Sequence, residues 1–246
     1  MVKRLGFILL LMALVSTTNA QKILRNTSIL NYQRGDRTWL HFGFTLGVNY
    51  MDYRVFMSGA NAYRAETGKM DVGFLVGIIS ELRITDDLGF RFLPGLEFGT
   101  RRMIYTNVPE ELDEYGEKDG KVAAYNESVY ITLPFMLKYK AVRLNNFRPY
   151  LTAGTSLKYD FQKHDRLDLD KGVYFRTKPI DVFLEAGLGC DFYLPYFKLG
   201  VELRFSLGLT NTLVREYDSK NPGYEGYTAA LKKLQARMFT LCFNFE

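Results

Sequence analysis

His41 and His164 are the only imidazoles in the chain, so any histidine-assisted hydrolysis would have to use one of them. Such chemistry needs a nucleophile, a base and an orienting acid within mutual reach. His164 has Asp165 beside it and Ser156 near in sequence, while His41 lies close to Gly43 and Thr45. No nucleophile motif accompanies either, and both read as polar packing or loop residues. The segment Glu110-Glu-Leu-Asp-Glu-Tyr-Gly-Glu-Lys-Asp-Gly120 has enough carboxylates to suggest Ca²⁺. It lacks the ordered ligand spacing of an EF-hand loop, so a solvated or partner-facing loop is expected. The expectation is a protein that is not an enzyme, with no catalytic residues, no metal and no cofactor.

The elements that would position these residues are strands. Between Ile180 and Leu209, the residues Ile180, Val182, Leu184, Ala186, Leu188, Cys190, Phe192 and Leu194 share one parity. Asp181, Phe183, Glu185, Gly187, Gly189 and Asp191 share the other. After Pro195-Tyr196 the alternation resumes, with Leu199, Val201, Leu203, Phe205 and Leu207 opposed to Lys198, Gly200, Glu202, Arg204, Ser206 and Gly208. Strict alternation means strands with one apolar and one polar face. Strands of about fifteen residues exceed the roughly 9–11 that cross a bilayer at a tilt. A polar face of glycine, serine and charges of both signs suits a packed lumen. This stretch therefore reads as a hairpin of a transmembrane β-barrel.

The same period gives further strands over residues 38–50, 70–84, 89–103, around 130–139, 148–161 and 235–246. The fold expected is all-β: eight antiparallel strands whose connections alternate long and short, with both termini at the short-turn, periplasmic side. Pro134 has no N–H for the ladder, and a bulge is expected there. Tyr139, Tyr150, Tyr193 and Tyr196 are expected as the lower aromatic girdle, and Tyr50, Tyr53, Tyr105 and Tyr159 as the upper one. The long connections are expected at residues 105–126, 162–178 and 210–234, with a short helix within 228–234. Tyr224, Tyr227 and the apolar side of residues 229–234 would form a partner surface or a cap on the barrel mouth.

The 246-residue chain is 47% hydrophobic, yet it has no apolar run of the length a transmembrane helix needs outside its N-terminus. There, Met1-Val2-Lys3-Arg4, an apolar stretch to Val15 and Thr18-Asn19-Ala20 read as a signal peptide over residues 1–20. An irregular periplasmic lead is expected over 21–37 and the barrel over 38–246. Removing Lys3 and Arg4 lowers the formal charge from +5 to +3, too little and too scattered to imply nucleic acid. Cys190 and Cys242 fall on opposite faces of the wall and are expected to be free thiols.

An eight-stranded bore is just filled by side chains. Glu81, Arg83, Arg91, Glu97, Arg101, Glu185, Glu202 and Arg204 are thus expected to pair with one another inside it. A charged ion path is the alternative reading of the same residues.

His41-Phe-Gly-Phe-Thr-Leu-Gly-Val-Asn49 followed by Asp52, Leu133-Pro-Phe-Met-Leu-Lys-Tyr139 and Arg148-Pro-Tyr-Leu-Thr-Ala-Gly154 resemble the PorT-type outer-membrane barrels of the type IX secretion system. Glu185-Ala-Gly-Leu-Gly189 fits the same pattern. The resemblance implies a Gram-negative outer membrane and a part in export and maturation of cargo proteases and adhesins. The implied partners are outer-membrane lipid and lipopolysaccharide and other type IX secretion components, with no nucleic acid. It implies no functional residues. A lipid-modifying barrel enzyme and a small passive channel are the other function classes open.

Overall fold

The computed structural model describes residues 31, 38–59, 63–68, 71–107, 121–161, 175–214 and 225–246. Its principal strands are β1 (Leu40–Met57), β3 (Val72–Arg83), β4 (Leu88–Phe92), β5 (Gly95–Thr106) and β6 (Lys121–Lys140). They continue with β7 (Phe147–Asp160), β9 (Ile180–Tyr193), β10 (Lys198–Gly208) and β12 (Leu231–Phe245). Smaller pieces are β2 (Arg64–Thr67), β8 (Arg176–Thr177), β11 (Leu213–Val214) and the one-turn helix α1 (Glu225–Ala229).

Each principal strand pairs antiparallel with its neighbours, and β1 pairs with both β3 and β12, so the sheet closes on itself. β4 and β5 occupy one position in the ring, making eight strands around the wall. Both pair with β3 on one side and β6 on the other without a change of register. The break between them has a local cause. The Leu93 N–H donates to the Pro134 carbonyl at 3.2 Å, and the Ile78 N–H donates to the Pro94 carbonyl at 2.9 Å. Neither proline can return the bond, so two ladder bonds are missing at one place. The bulge expected at Pro134 does not form. Pro134 stays opposite Ser156 within an unbroken register, the lost donor being absorbed as a gap in the neighbouring strand.

Burial follows parity around the ring. Phe42 is 66% and Leu188 60% exposed on the outside, whereas Glu81, Lys138, Asp191 and Glu202 are fully buried on the inside. Apolar-out and charged-in is the arrangement of a wall surrounded by lipid, with the ladder closed so that no backbone edge meets hydrocarbon. Short turns join β3 to β4, β6 to β7, and β9 to β10. At the first, Thr85 Oγ1 accepts from the Leu88 N–H at 2.9 Å. At the second, Asn145 takes the left-handed conformation (φ 55°) that asparagine tolerates better than most residues.

Several boundaries differ from the sequence expectation, all at the opposite, loop end. β1 runs seven residues past Tyr50, and β12 begins at Leu231. β5 and β6 continue pairing as far as Thr106 opposite Lys121, so the acidic connection shrinks to residues 107–120. The helix lies one turn earlier than expected. These extensions carry charged residues on their outer faces, such as Arg54 and Glu127, and an apolar alternation could not reveal them.

Candidate functional site

The lumen is filled in layers. At the end carrying the C-terminus, Arg91 Nε donates to Glu81 Oε2 at 2.7 Å, and Arg91 also bonds the side chain of Glu246. Lys138 Nζ lies 2.6 Å from Asp191 Oδ2, Lys140 Nζ 2.5 Å from Glu81 Oε1 and Lys198 Nζ 2.6 Å from Glu246 Oε2. Tyr150 crosses this layer, its hydroxyl 3.1 Å from Glu202 Oε2, with Lys138 Nζ 3.9 Å from its ring centre. Gly189 makes room for that ring, because a Cβ there would sit 2.5 Å from Tyr150 Cζ.

Farther along, Ile79, Leu93 and Met136 form an apolar cluster on one side. Opposite them, Lys158 Nζ reaches Glu97 Oε2 at 2.7 Å and Glu185 Oε1 at 3.4 Å, and Arg204 Nε donates to Glu202 Oε1 at 3.0 Å. Ser156 Oγ donates to Glu185 Oε1 at 2.6 Å. Toward the loop end the filling becomes apolar. Met51, Tyr53, Met103, Tyr105, Val122, Phe175, Leu213, Tyr227, Leu231 and Leu234 form one buried cluster. Tyr227 of α1 and Leu213 of β11 come from the last connection, so that connection plugs the mouth. Tyr227 packs edge-on against Tyr105 at 4.9 Å, which settles the cap reading for this residue. The side chains of residues 224 to 226 lie outside the described residues.

The expected lumen pairing holds for Glu81, Arg91, Glu185, Glu202 and Arg204, whereas Glu97 lies in the lumen but pairs with Lys158, outside that set. Two arginines depart from it. Arg83 sits at the rim and pairs with Asp86 of the short turn. Arg101 lies between the rings of Tyr53 (4.8 Å) and Tyr130 (5.1 Å), and donates to Ser128 Oγ at 2.8 Å. Parity also held members of the network that charge spacing alone passed over: Lys138, Lys140, Lys158, Asp191, Lys198 and the terminal Glu246. All six fall on the inward parity of strands whose outward residues were already legible.

His41 lies on the inner face, half-buried and opposite Glu81 in register. Ser156 is occupied by Glu185, far along the bore from it. His164, Asp165 and residues 110–120 lie outside the described residues. No cluster of three or more metal-ligating side chains occurs among the described residues.

Four of the eight girdle tyrosines take a different place. Tyr139, Tyr196, Tyr50 and Tyr159 face outward, whereas Tyr53, Tyr105, Tyr150 and Tyr193 are at most 5% exposed. Their parity puts them inside, where the Tyr53 hydroxyl accepts from Asn126 Nδ2 at 2.6 Å and the Tyr150 hydroxyl donates to Glu202. Tyr193 is covered by Arg143, which stacks 3.6 Å from its ring centre, and its backbone carbonyl accepts from Asn31 Nδ2 at 3.3 Å. Asn31 is the one described residue of the stretch 21–37. Its N–H donates to Asn146 Oδ1 at 2.9 Å, and its carbonyl accepts from Arg143 Nη2 at 2.6 Å. Asn31 is thereby fastened to the β6–β7 turn.

Cys190 and Cys242 are free, the former half-buried on the outer face and the latter fully buried on the inner one. On the outside of the wall, Asp52 of β1 and Arg237 of β12 face each other in register. Arg237 Nε donates to Asp52 Oδ2 at 2.8 Å, and Arg237 Nη2 bonds the same oxygen.

A closed, plugged eight-strand wall with an apolar exterior defines the class: an outer-membrane β-barrel. The family model described as outer membrane protein beta-barrel domain matches residues 26–214, and the chain belongs to that family. It is similar to Neisserial surface protein A at 12% identity, over 83% of this chain and 97% of that one, with a TM-score of 0.41. OprG from Pseudomonas aeruginosa is 14% identical over 83% and 92% of the two chains, with a TM-score of 0.44. The outer membrane protease OmpT from Escherichia coli is 11% identical over 84% and 94%, with a TM-score of 0.36. No curated protein matches the sequence.

Proposed function

We propose that this outer-membrane barrel performs no reaction of its own and serves as an accessory or assembly component of type IX protein secretion. The end with the termini would face the periplasm. The observation that carries the non-enzymatic, non-conducting reading is the filled bore. Among the described residues, seven buried cations and, with Glu246, eight carboxylates fill the lumen, and six of each sign are joined in ion pairs across it. A plugged barrel offers partners only its two ends and its outer wall. The link to type IX secretion rests on the resemblance carried by residues 41–49, Asp52, 133–139, 148–154 and 185–189. The partners would be other components of that system, within outer-membrane lipid and lipopolysaccharide.

The test is cargo export in a cell that uses type IX secretion. The deletions are confined to residues 108–120, 215–224 or 21–30, because wider ones would remove β6, Tyr227 or Asn31. All three variants should insert and remain heat-modifiable on a gel, and at least one should leave cargo proteases unprocessed inside. Normal export in all three beside a defective whole-gene deletion would transfer the function to the wall. Normal export without the gene would end the type IX reading.

A further inference from the structure

The row Tyr50, Phe239 and Phe205 closes the apolar exterior of β1, β12 and β10 at the loop end. Tyr50 stands opposite Phe239, and Phe239 opposite Phe205, whose ring centre is 5.6 Å from that of Phe239. One register step beyond lies the Asp52–Arg237 pair. Between these two rows, on the outer surface, is a pocket of about 510 Å³ lined by Tyr50, Asp52, Phe205, Arg237, Met238 and Phe239. Most single outward positions of this wall are merely greasy, whereas this one is a recess with a charged edge.

The strip above the pocket is basic. Arg237 engages Asp52 through Nε and Nη2, leaving Nη1 for another acceptor. Arg54 and Lys233 both lean over the ring of Phe56, at 4.9 and 5.9 Å from its centre. Neither forms an ion pair with a carboxylate among the described residues. Three cations thus converge against one carboxylate, immediately above an aromatic recess.

We propose that this face is a binding site for a phosphorylated lipid A molecule. An acyl chain lies in the recess among Tyr50, Phe205 and Phe239, and the sugar phosphates sit against Arg54, Lys233 and Arg237. The physical reasons are complementary at both ends of such a lipid. Aromatic side chains accept acyl chains at the edge of the hydrocarbon, where amphipathic rings are stable. Each basic group near an anionic lipid surface strengthens binding about fivefold. More than one cation fits a headgroup with more than one phosphate. The choice of lipid A over a glycerophospholipid rests on the orientation proposed above, which puts the loop end in the outer leaflet.

The experiment uses the mature protein in detergent micelles and native mass spectrometry with three probes: bisphosphorylated lipid A, the same lipid A stripped of phosphate, and phosphatidylglycerol. Bisphosphorylated lipid A should bind best, and loss of its phosphates should weaken binding by roughly tenfold or more. The variant Arg54→Gln/Lys233→Gln, on one exposed and one half-buried rim residue, should weaken it comparably, while Lys178→Gln on another part of the loop end should leave it unchanged. Equal binding of phosphatidylglycerol, or equal loss in Lys178→Gln, would overturn the site, since only general charge attraction would remain. An epitope inserted after Asn107 and probed on intact cells reads the orientation separately. Detection only after permeabilisation would overturn both the orientation and lipid A as the occupant. Detection on intact cells with no binding would overturn the site alone.

Discussion

Arg91 of β4 and Glu246, the last residue of the chain, form an ion pair inside the lumen although 155 positions separate them. Glu81 and Lys198 complete the arrangement, so this end of β12 is tied inside the bore to the first half of the chain. A strand ladder alone would close the wall. This pair adds a fastening across it.

Arg91→Ala should therefore weaken the fold sharply. It leaves Glu81 and Glu246 buried without their shared partner, a loss of about 3–5 kcal/mol for a broken buried pair. The measurement is the temperature at which the folded band converts on a semi-native gel. Glu246→Gln should lower it less, because the amide can still accept from Arg91 and Lys198. An unchanged midpoint in Arg91→Ala would show that the layer contributes nothing to closure.

Adjacent residues of β10 should respond oppositely to substitution. Leu203 is 44% exposed on the outer face, and arginine there costs about 2–4 kcal/mol near the bilayer midplane. Glu202 is fully buried and accepts from Arg204 and Tyr150. Glu202→Gln keeps an acceptor and should cost about 1–3 kcal/mol while leaving insertion intact. Leu203→Arg should reduce the amount recovered in outer membranes. Silent Leu203→Arg together with abolished insertion in Glu202→Gln would mean that the faces are inverted.

Alternation made the membrane-crossing part legible because lipid and lumen impose opposite demands on successive residues. The Ile180–Tyr193 strand and Lys198–Gly208 strand could be read almost to their ends for this reason. Where β1, β5, β6 and β12 rise past the apolar band, the outer face turns largely polar and the inner face largely apolar, so the pattern inverts although the ladder continues. Tyr150 and Tyr193 misled for another reason: tyrosine suits an interface by composition, but their parity already placed them inside. The capping role of Phe175 and Leu213 had no local signal, since short segments in a polar connection reveal their burial only in three dimensions.

The purified, folded protein in planar bilayers should show no stable unitary conductance. Ion pairs from Glu81 to Glu246 fill one level of the bore and the Glu97–Lys158–Glu185 set another. An eight-stranded interior leaves little space beyond its own side chains. Reproducible openings would promote the channel alternative.

The bore has two independent seals, and a single substitution should separate them. Tyr227 of α1 closes the loop end within the apolar cluster, where it meets Tyr105 and also Tyr63 at 5.5 Å. Tyr227→Ala removes a fully buried aromatic side chain, a loss of about 3–5 kcal/mol if the surroundings collapse only in part. Because that loss falls on the cap and not on the ring, its first readout should be faster proteolysis and amide exchange around residues 225–231. Conductance should stay absent, since the charged layers below do not depend on the cap. A channel that opens in Tyr227→Ala would show that the apolar plug is the true barrier and that the ion-pair layers admit water and ions. Unchanged exchange around α1 would show instead that Tyr227 does not hold the connection in the mouth.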